Sequence, residues 1–273
     1  SMEPNAFMYW RTAQLRKTIE NYYKERPQTS KPPLFRNEWK YYLSLWDGQT
    51  LKERLIRLMQ RDPYAVNGVY MIRSLYFDDY WNSSYNDKMA GVDHRKKYRI
   101  RIYNCSDSSI KLERKIKNSS YIFKESASLT RREYEWIMEG NYDFLLRHSD
   151  RLCREFYYEC VGNVMRPKVI VDYEREPFIL KEGDVRITFD SCVRAAAPEN
   201  DIFNPRIPSY EVVPFGKTVM EVKFTQFLPQ YIKEILPPGE QEFSAISKYT
   251  LCFDRVYHRT DALFLVSRSE KTW

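Results

Sequence analysis

Lys97-Tyr98-Arg99-Ile100-Arg101-Ile102-Tyr103 alternates between cationic and apolar side chains. A period of two is that of a β-strand, and it puts Lys97, Arg99 and Arg101 on one face and Tyr98, Ile100 and Ile102 on the other. Cations spaced this densely repel one another, so their face needs either open water or an anionic partner. The same alternation, with acids mixed in, recurs in Arg36-Asn37-Glu38-Trp39-Lys40, Leu112-Glu113-Arg114-Lys115-Ile116-Lys117, Val185-Arg186-Ile187-Thr188-Phe189-Asp190 and Met220-Glu221-Val222-Lys223-Phe224. On their other faces Ile100, Ile102, Leu112, Ile116, Val185, Ile187, Phe189, Val222 and Phe224 are large and must be covered by amphipathic helices. The expected architecture is therefore α+β, a closed antiparallel barrel of seven or eight strands with a charged lumen and helices on the outside. An open sheet with its charged face in solvent is the competing arrangement.

The chain has 273 residues, enough for a sizeable core, and its 16% aromatic content is that of a packed, strand-rich globule. Lys and Arg number 44 against 37 Asp and Glu, a net charge of +7 that favours acidic partners or serves solubility alone. Five cysteines, at 105, 153, 160, 192 and 252, form no C-x-x-C pair, and an odd count cannot close into a complete disulfide set, which points to a reducing cytoplasm. Cys153 and Cys160, on one helix face, read as buried thiols. The histidines at 94, 148 and 258 lack ligand spacing. Neither a Walker loop, a G-x-G-x-x-G turn nor a G-x-S-x-G elbow is present, so any phosphate must be held by side chains. No apolar run approaches the roughly 20 residues of a membrane span.

Residues 8–25 read as an amphipathic helix and 27–33 as a linker, giving an extension over 1–35 ahead of a main domain over 36–273. Strands are expected at 36–45, 70–77, 95–104, 110–117, 121–126, 168–174, 185–192 and 218–225. Thr50-Leu51-Lys52-Glu53 and Thr130-Arg131-Arg132-Glu133 read as capping boxes opening helices. Residues 82–89 read as a short helix, 195–213 as an irregular loop and 243–257 as helical. Arg73 is a secondary candidate for the charged face, its alternative being a simple ion pair with Asp78 or Asp79, and the Tyr and Trp side chains are expected to serve mainly as core.

In order along the chain, Arg36-x-Glu38-x-Lys40-Tyr41, Arg73-Ser74-Leu75-Tyr76-Phe77-Asp78, Gly91-Val92-Asp93 with Tyr98-Arg99-x-Arg101-x-Tyr103, Leu112-Glu113-x-Lys115, Lys124-Glu125, Tyr173-Glu174-Arg175, Val185-Arg186-Ile187-Thr188-x-Asp190, Met220-Glu221-Val222-Lys223-Phe224 and Ser247-Lys248-Tyr249 resemble the polyphosphate polymerase domain of the vacuolar transporter chaperone family. That family is a branch of the CYTH-like triphosphate tunnel metalloenzymes. The resemblance implies a closed, eight-stranded tunnel that grips ATP and a growing polyphosphate chain and transfers the γ-phosphoryl group. It implies Lys40, Arg99, Arg101, Lys115, Lys124, Arg175, Arg186, Lys223 and Lys248 as the phosphate-binding set, and Glu221 as the ligand of Mn²⁺ or Mg²⁺. Among these, Arg99, Arg101, Lys115, Arg186, Lys223 and Glu221 would act on the reacting groups. Glu38 and Glu113 share faces with Lys40 and Lys115, and either orient those lysines or reach the metal.

Tunnel triphosphatases and class IV cyclases open with an E-x-E-x-K strand, and here Arg36 occupies the first acidic position, which favours a polymerase over a triphosphate hydrolase. A catalytically silent polyanion-binding module is a further candidate. Nucleic acid is not expected as a partner, for no RRM, KH or helix-turn-helix pattern appears.

Overall fold

The computed structural model describes residues 37–118, 121–214, 216–225, 227–237 and 247–258. The expected N-terminal helix, the linker, Arg36 and residues 243–246 lie outside the described residues. Ten strands form one antiparallel sheet. In chain order they are β1 (Asn37–Ser44), β2 (Gln60–Arg61), β3 (Tyr70–Asp78), β4 (Arg95–Tyr103), β5 (Ser106–Asn118), β6 (Tyr121–Leu129), β7 (Arg166–Leu180), β8 (Val185–Ala196), β9 (Tyr210–Glu211) and β10 (Lys217–Phe224). Eight of them follow the path β1-β10-β8-β7-β3-β4-β5-β6, while β2 pairs with β7 and β9 with β8. The helices are α1 (Leu45–Leu55), α2 (Ser83–Met89), α3 (Arg131–Glu139), α4 (Arg151–Gly162), α5 (Gln230–Ile235) and α6 (Lys248–Tyr257).

The sheet curls strongly. In a flat sheet with this strand order, β1 and β5 would be six inter-strand spacings apart, about 29 Å. Instead Lys115 Nζ on β5 donates to Glu38 Oε2 on β1 at 3.0 Å. Unlike the closed barrel expected from the alternation, the sheet is not closed by backbone hydrogen bonds, because β1 and β6 end the path without pairing. The seam is bridged by side chains, and repulsion among Lys40, Lys115 and Lys124 opposes a closer approach of these strands.

Two apolar layers cover the outside. Tyr98, Ile100, Ile102, Leu112 and Leu129 pack against Tyr134, Ile137, Leu152, Cys153, Phe156 and Cys160 of α3 and α4. Tyr41, Ile187, Phe189, Met220, Val222 and Phe224 pack against Leu51 and Leu55 of α1 and Ile232 of α5. A third cluster lies on the inner side, where Tyr249, Cys252 and Phe253 of α6 meet Ile72, Val169, Val171, Val193, Ala195 and Val219. Helix α6 therefore fills part of the curled sheet's interior.

Thr130 caps α3 through the expected box. The box at Thr50 does not cap, because α1 begins earlier: Ser44 accepts from Asp47 N at 3.0 Å and Thr50 lies within the helix. Ser44→Ala is expected to cost about 1 kcal/mol, read as a lower urea midpoint. Arg73 pairs with neither Asp78 nor Asp79. It is buried, with Nε and Nη2 donating to Asp172 at 2.7 and 2.9 Å and Nη1 donating to the carbonyls of Ile202 and Asn204, so it pins the 197–209 loop to β3 and β7. Trp46, Tyr64, Tyr80 and Trp81 are exposed rather than core.

Candidate phosphate-binding lumen

The side chains opposite the helix-covered faces converge on the interior. Strand register sets them in rows. Glu38 on β1 pairs with Lys223 on β10 and Lys223 with Arg186 on β8; Lys40 pairs with Glu221 and Glu221 with Thr188. On the other wall Lys97, Lys115 and Lys124 are directly opposite one another across β4, β5 and β6, and Arg99 is opposite Glu113. Arg175 on β7 faces Asp190 on β8. Lys248 enters from the first residue of α6, behind the Ser247 cap.

Four carboxylates tie these cations together. Glu221 lies 3.0 Å from Lys223, 2.8 Å from Lys248, 3.5 Å from Arg175 and 3.7 Å from Lys40. Asp190 is fully buried, receives both Nε and Nη2 of Arg175 at 2.7 Å and lies 2.6 Å from Lys248. Glu113 accepts from Arg99 at 2.7 Å and lies 2.6 Å from Lys124. Glu38 contacts Lys115 at 3.0 Å, Lys40 at 3.4 Å and Lys223 at 3.8 Å. Thus Glu38 and Glu113 each orient more than one lysine or arginine. Arg101 stands slightly apart, donating to Ser74 Oγ at 3.0 Å and Tyr173 OH at 3.1 Å. Arg186 shares a row with Lys223, but its guanidinium is tethered to Asp62 at 3.0 Å and Tyr70 at 2.9 Å.

The electrostatics follow from this packing. Burial raises the Glu221 pKa, but Lys223, Lys248, Lys40 and Arg175 outweigh it and hold the carboxyl well below its ordinary range. For Glu113 burial is likewise overcome by Arg99, Arg101 and Lys124, leaving its pKa at about 2. Lys115 moves the other way: burial, assisted by Lys40 and Lys223, overrides Glu38 and lowers it from 10.5 to about 8. Lys115 is charged below that pH and neutral above it. Affinity for tripolyphosphate should therefore fall as pH rises through about 8, well before ordinary lysines titrate near 10.5. Lys115→Arg should diminish that inflection in a calorimetric pH series, what is left belonging to Lys97 opposite it, whose amine burial and neighbouring cations also hold down.

The lumen also contains residues that sequence reasoning did not assign. Asp190 sits in a quoted strand, yet its role appears only once the register brings Arg175 and Lys248 to it. Thr188 Oγ1 is buried with no hydrogen-bond partner among the described residues, on the strand neighbouring Glu221 and directly across from it. Among the described residues no group of three or more His, Cys, Asp or Glu side chains could hold a metal ion. What is present is an all-oxygen set, with Glu221 and Glu38 both in contact with Lys40 and Lys223 and with the orphaned Thr188 hydroxyl beside Glu221. This fits a hard divalent ion that keeps waters and shares one or two carboxylates with a bound phosphate, and it does not fit a metal caged by protein alone.

The described residues thus form a helix-covered, curled antiparallel sheet with a cation-rich lumen. The chain belongs to the VTC-domain family, whose sequence pattern matches residues 35–257. Among solved structures it is similar to a candidate adenylate cyclase from Bacillus halodurans, at 10% identity and a TM-score of 0.45, covering 78% of this chain and 97% of that one. It is also similar to HpAC1 from Hippeastrum, a candidate adenylyl cyclase reported to have a dominant triphosphatase activity. There the identity is 16% and the TM-score 0.48, covering 79% of this chain and 93% of that one. A search of curated proteins finds no match. No helix among the described residues is long and apolar enough to cross a membrane.

Proposed function

We propose that the protein is an ATP-dependent polyphosphate polymerase that transfers the γ-phosphoryl group of ATP to the end of a linear polyphosphate chain held in the lumen, in the cytoplasm. The observation that supports this best is the wall formed by β4, β5 and β6, where lysines and arginines from successive rows outnumber the single acid, Glu113. Such a wall suits a polyanion longer than one triphosphate.

In the transfer, a terminal oxygen of the acceptor chain bonds to the γ-phosphorus. The bond from that phosphorus to the β–γ bridging oxygen breaks, and ADP leaves with the electron pair. The acceptor oxygen is already ionised, so no side chain has to remove a proton, consistent with histidines at 94, 148 and 258 that lie outside the lumen strands. The work left to the protein is positioning and charge neutralisation. Arg99, Arg101, Lys115, Arg186 and Lys223 would orient the reacting phosphates, while Lys40, Lys124, Arg175 and Lys248 hold the flanking ones. Glu221, with Glu38 and Thr188, would hold Mn²⁺ or Mg²⁺. When bound, that ion supplies further neutralisation on the triphosphate oxygens.

A triphosphate hydrolase is the second candidate, favoured by the pairing of Glu38 and Glu221 around two shared lysines. Incubation of the purified protein with ATP and Mn²⁺ separates the alternatives on a polyphosphate gel. Long chains are expected. Free phosphate alone would mean a hydrolase, and tight tripolyphosphate binding without turnover would mean a binding module.

A further inference from the structure

The lumen is divided into two zones of different charge balance. Around Glu221, Asp190, Glu38 and Glu113, nearly every cation has a carboxylate. Towards the first residues of β4 and the last of β5, the acids stop. Arg95 is directly opposite Lys117, and two residues further in Lys97 is directly opposite Lys115. Cations facing one another in register have Cβ atoms about 5 Å apart and destabilise the pair unless an anion lies between them. Among the described residues, Lys88, Arg95, Lys97 and Lys117 have no carboxylate within ion-pair distance. Lys97 Nζ instead donates to Ser247 Oγ at 3.1 Å and lies over the Tyr249 ring, and Arg95 donates to the Val92 carbonyl.

Lys88 joins this set from the last turn of α2. Burial and the charges of Arg95, Lys40 and Lys117 all push its amine down, and Lys97 is pushed down by burial and by Lys40, Lys115, Lys88 and Arg95. Lys88, Arg95 and Lys117 are half-buried and open towards solvent at the strand ends. Among the described residues, a cluster of cations from β4, β5 and α2 thus stands at one end of the lumen with no carboxylate paired to it.

We propose that Lys88, Arg95 and Lys117 form a separate subsite for the distal phosphates of a linear polyphosphate, beyond those held in the carboxylate-balanced zone and at the Lys97–Lys115 row. The Arg95–Lys117 row lies four residues along the strand from the Arg99–Glu113 row, about 13 Å at the rise of an antiparallel strand. Three linked phosphates seated on Arg99, Arg101 and Lys115 end at the Lys97–Lys115 row, about 7 Å short of Arg95 and Lys117, which a longer chain reaches. The subsite therefore distinguishes a long chain from a triphosphate. It rests on the proposed lumen function only in requiring that linear phosphate enters there, and it holds whether the enzyme builds chains or degrades them.

The test compares tripolyphosphate with a polyphosphate of several dozen units, by calorimetry on the wild type and on the triple variant Lys88→Ala, Arg95→Ala, Lys117→Ala. Long-chain affinity is expected to fall at least about tenfold, and the salt slope of long-chain binding to shrink by about two, as for three lost phosphate contacts on a single strand. Tripolyphosphate affinity is expected to change by less than the long-chain affinity, so that the ratio of the two shifts. The charge-preserving variant Lys88→Arg, Arg95→Lys, Lys117→Arg should retain long-chain affinity. Relief of like-charge repulsion should leave the alanine variant's melting temperature equal to or above that of the wild type. Parallel losses for both ligands, or no loss for the long chain, would overturn the subsite while leaving the lumen function intact. A wild type that binds neither ligand would overturn both.

Discussion

Glu221→Gln is expected to lower metal-dependent turnover roughly 10³-fold while tightening the binding of metal-free tripolyphosphate. The two parameters move in opposite directions because of what surrounds this carboxylate. Lys223, Lys248, Arg175 and Lys40 all lie within 4 Å of it. Removing its charge leaves those cations with less internal compensation, so a phosphate anion gains attraction. The same change deletes the carboxylate assigned to the divalent ion, and the transition state loses that neutralisation. A general loss of structure would weaken binding and turnover together. Calorimetry and a turnover assay on the same preparation tell the outcomes apart, and unchanged turnover would remove Glu221 from the metal role.

The second large effect is expected from Arg99→Ala combined with Arg101→Ala. Charge-assisted hydrogen bonds are worth about 1.5–3 kcal/mol each, so losing two guanidinium anchors should weaken tripolyphosphate binding by roughly 10²-fold or more. Both arginines project from β4, whose opposite face, Tyr98, Ile100 and Ile102, is fully buried against helices, so the substitutions leave the outer core untouched. Glu113 keeps Lys124 as a partner when Arg99 is removed. The pair Arg99→Lys with Arg101→Lys should bind with intermediate affinity, since an ammonium keeps the charge but not the planar fork. Equal affinity for all three proteins would exclude these side chains from the binding site.

The alternation of Lys97 to Tyr103 is enough to separate inner from outer face, because a strand admits only two sides and Ile100 and Ile102 require cover. The same logic places Glu38, Lys40, Glu221 and Lys223 inside. The box at Thr130 is legible because its capping hydrogen bonds are local; the one at Thr50 misleads because Ser44, an equally good cap, precedes it and Gly216 O accepts from Leu45 N at the helix start. What was not legible depends on register between distant strands. Arg73 and Asp172 are 99 residues apart, and no local pattern marks them as partners. Arg186 shares the lumen face of β8, yet its tether to Asp62 comes from the segment that follows β2. Asp190 and Thr188 read as ordinary members of an alternating strand until β7, β10 and α6 are laid beside them. The gap between β1 and β6 is a matter of curvature, which periodicity does not encode.

Whether lysines and arginines from separate strands hold linear phosphate inside the curled sheet is tested most directly by a crystal of this protein grown with tripolyphosphate and manganese. The expected result is triphosphate density within the lumen, contacted by Arg99, Arg101 and Lys115 from one wall and Lys223 and Lys248 from the other, with the metal beside Glu221. Phosphate bound only on the outer, helix-covered surface, with those side chains left to their internal carboxylates, would contradict binding inside the sheet.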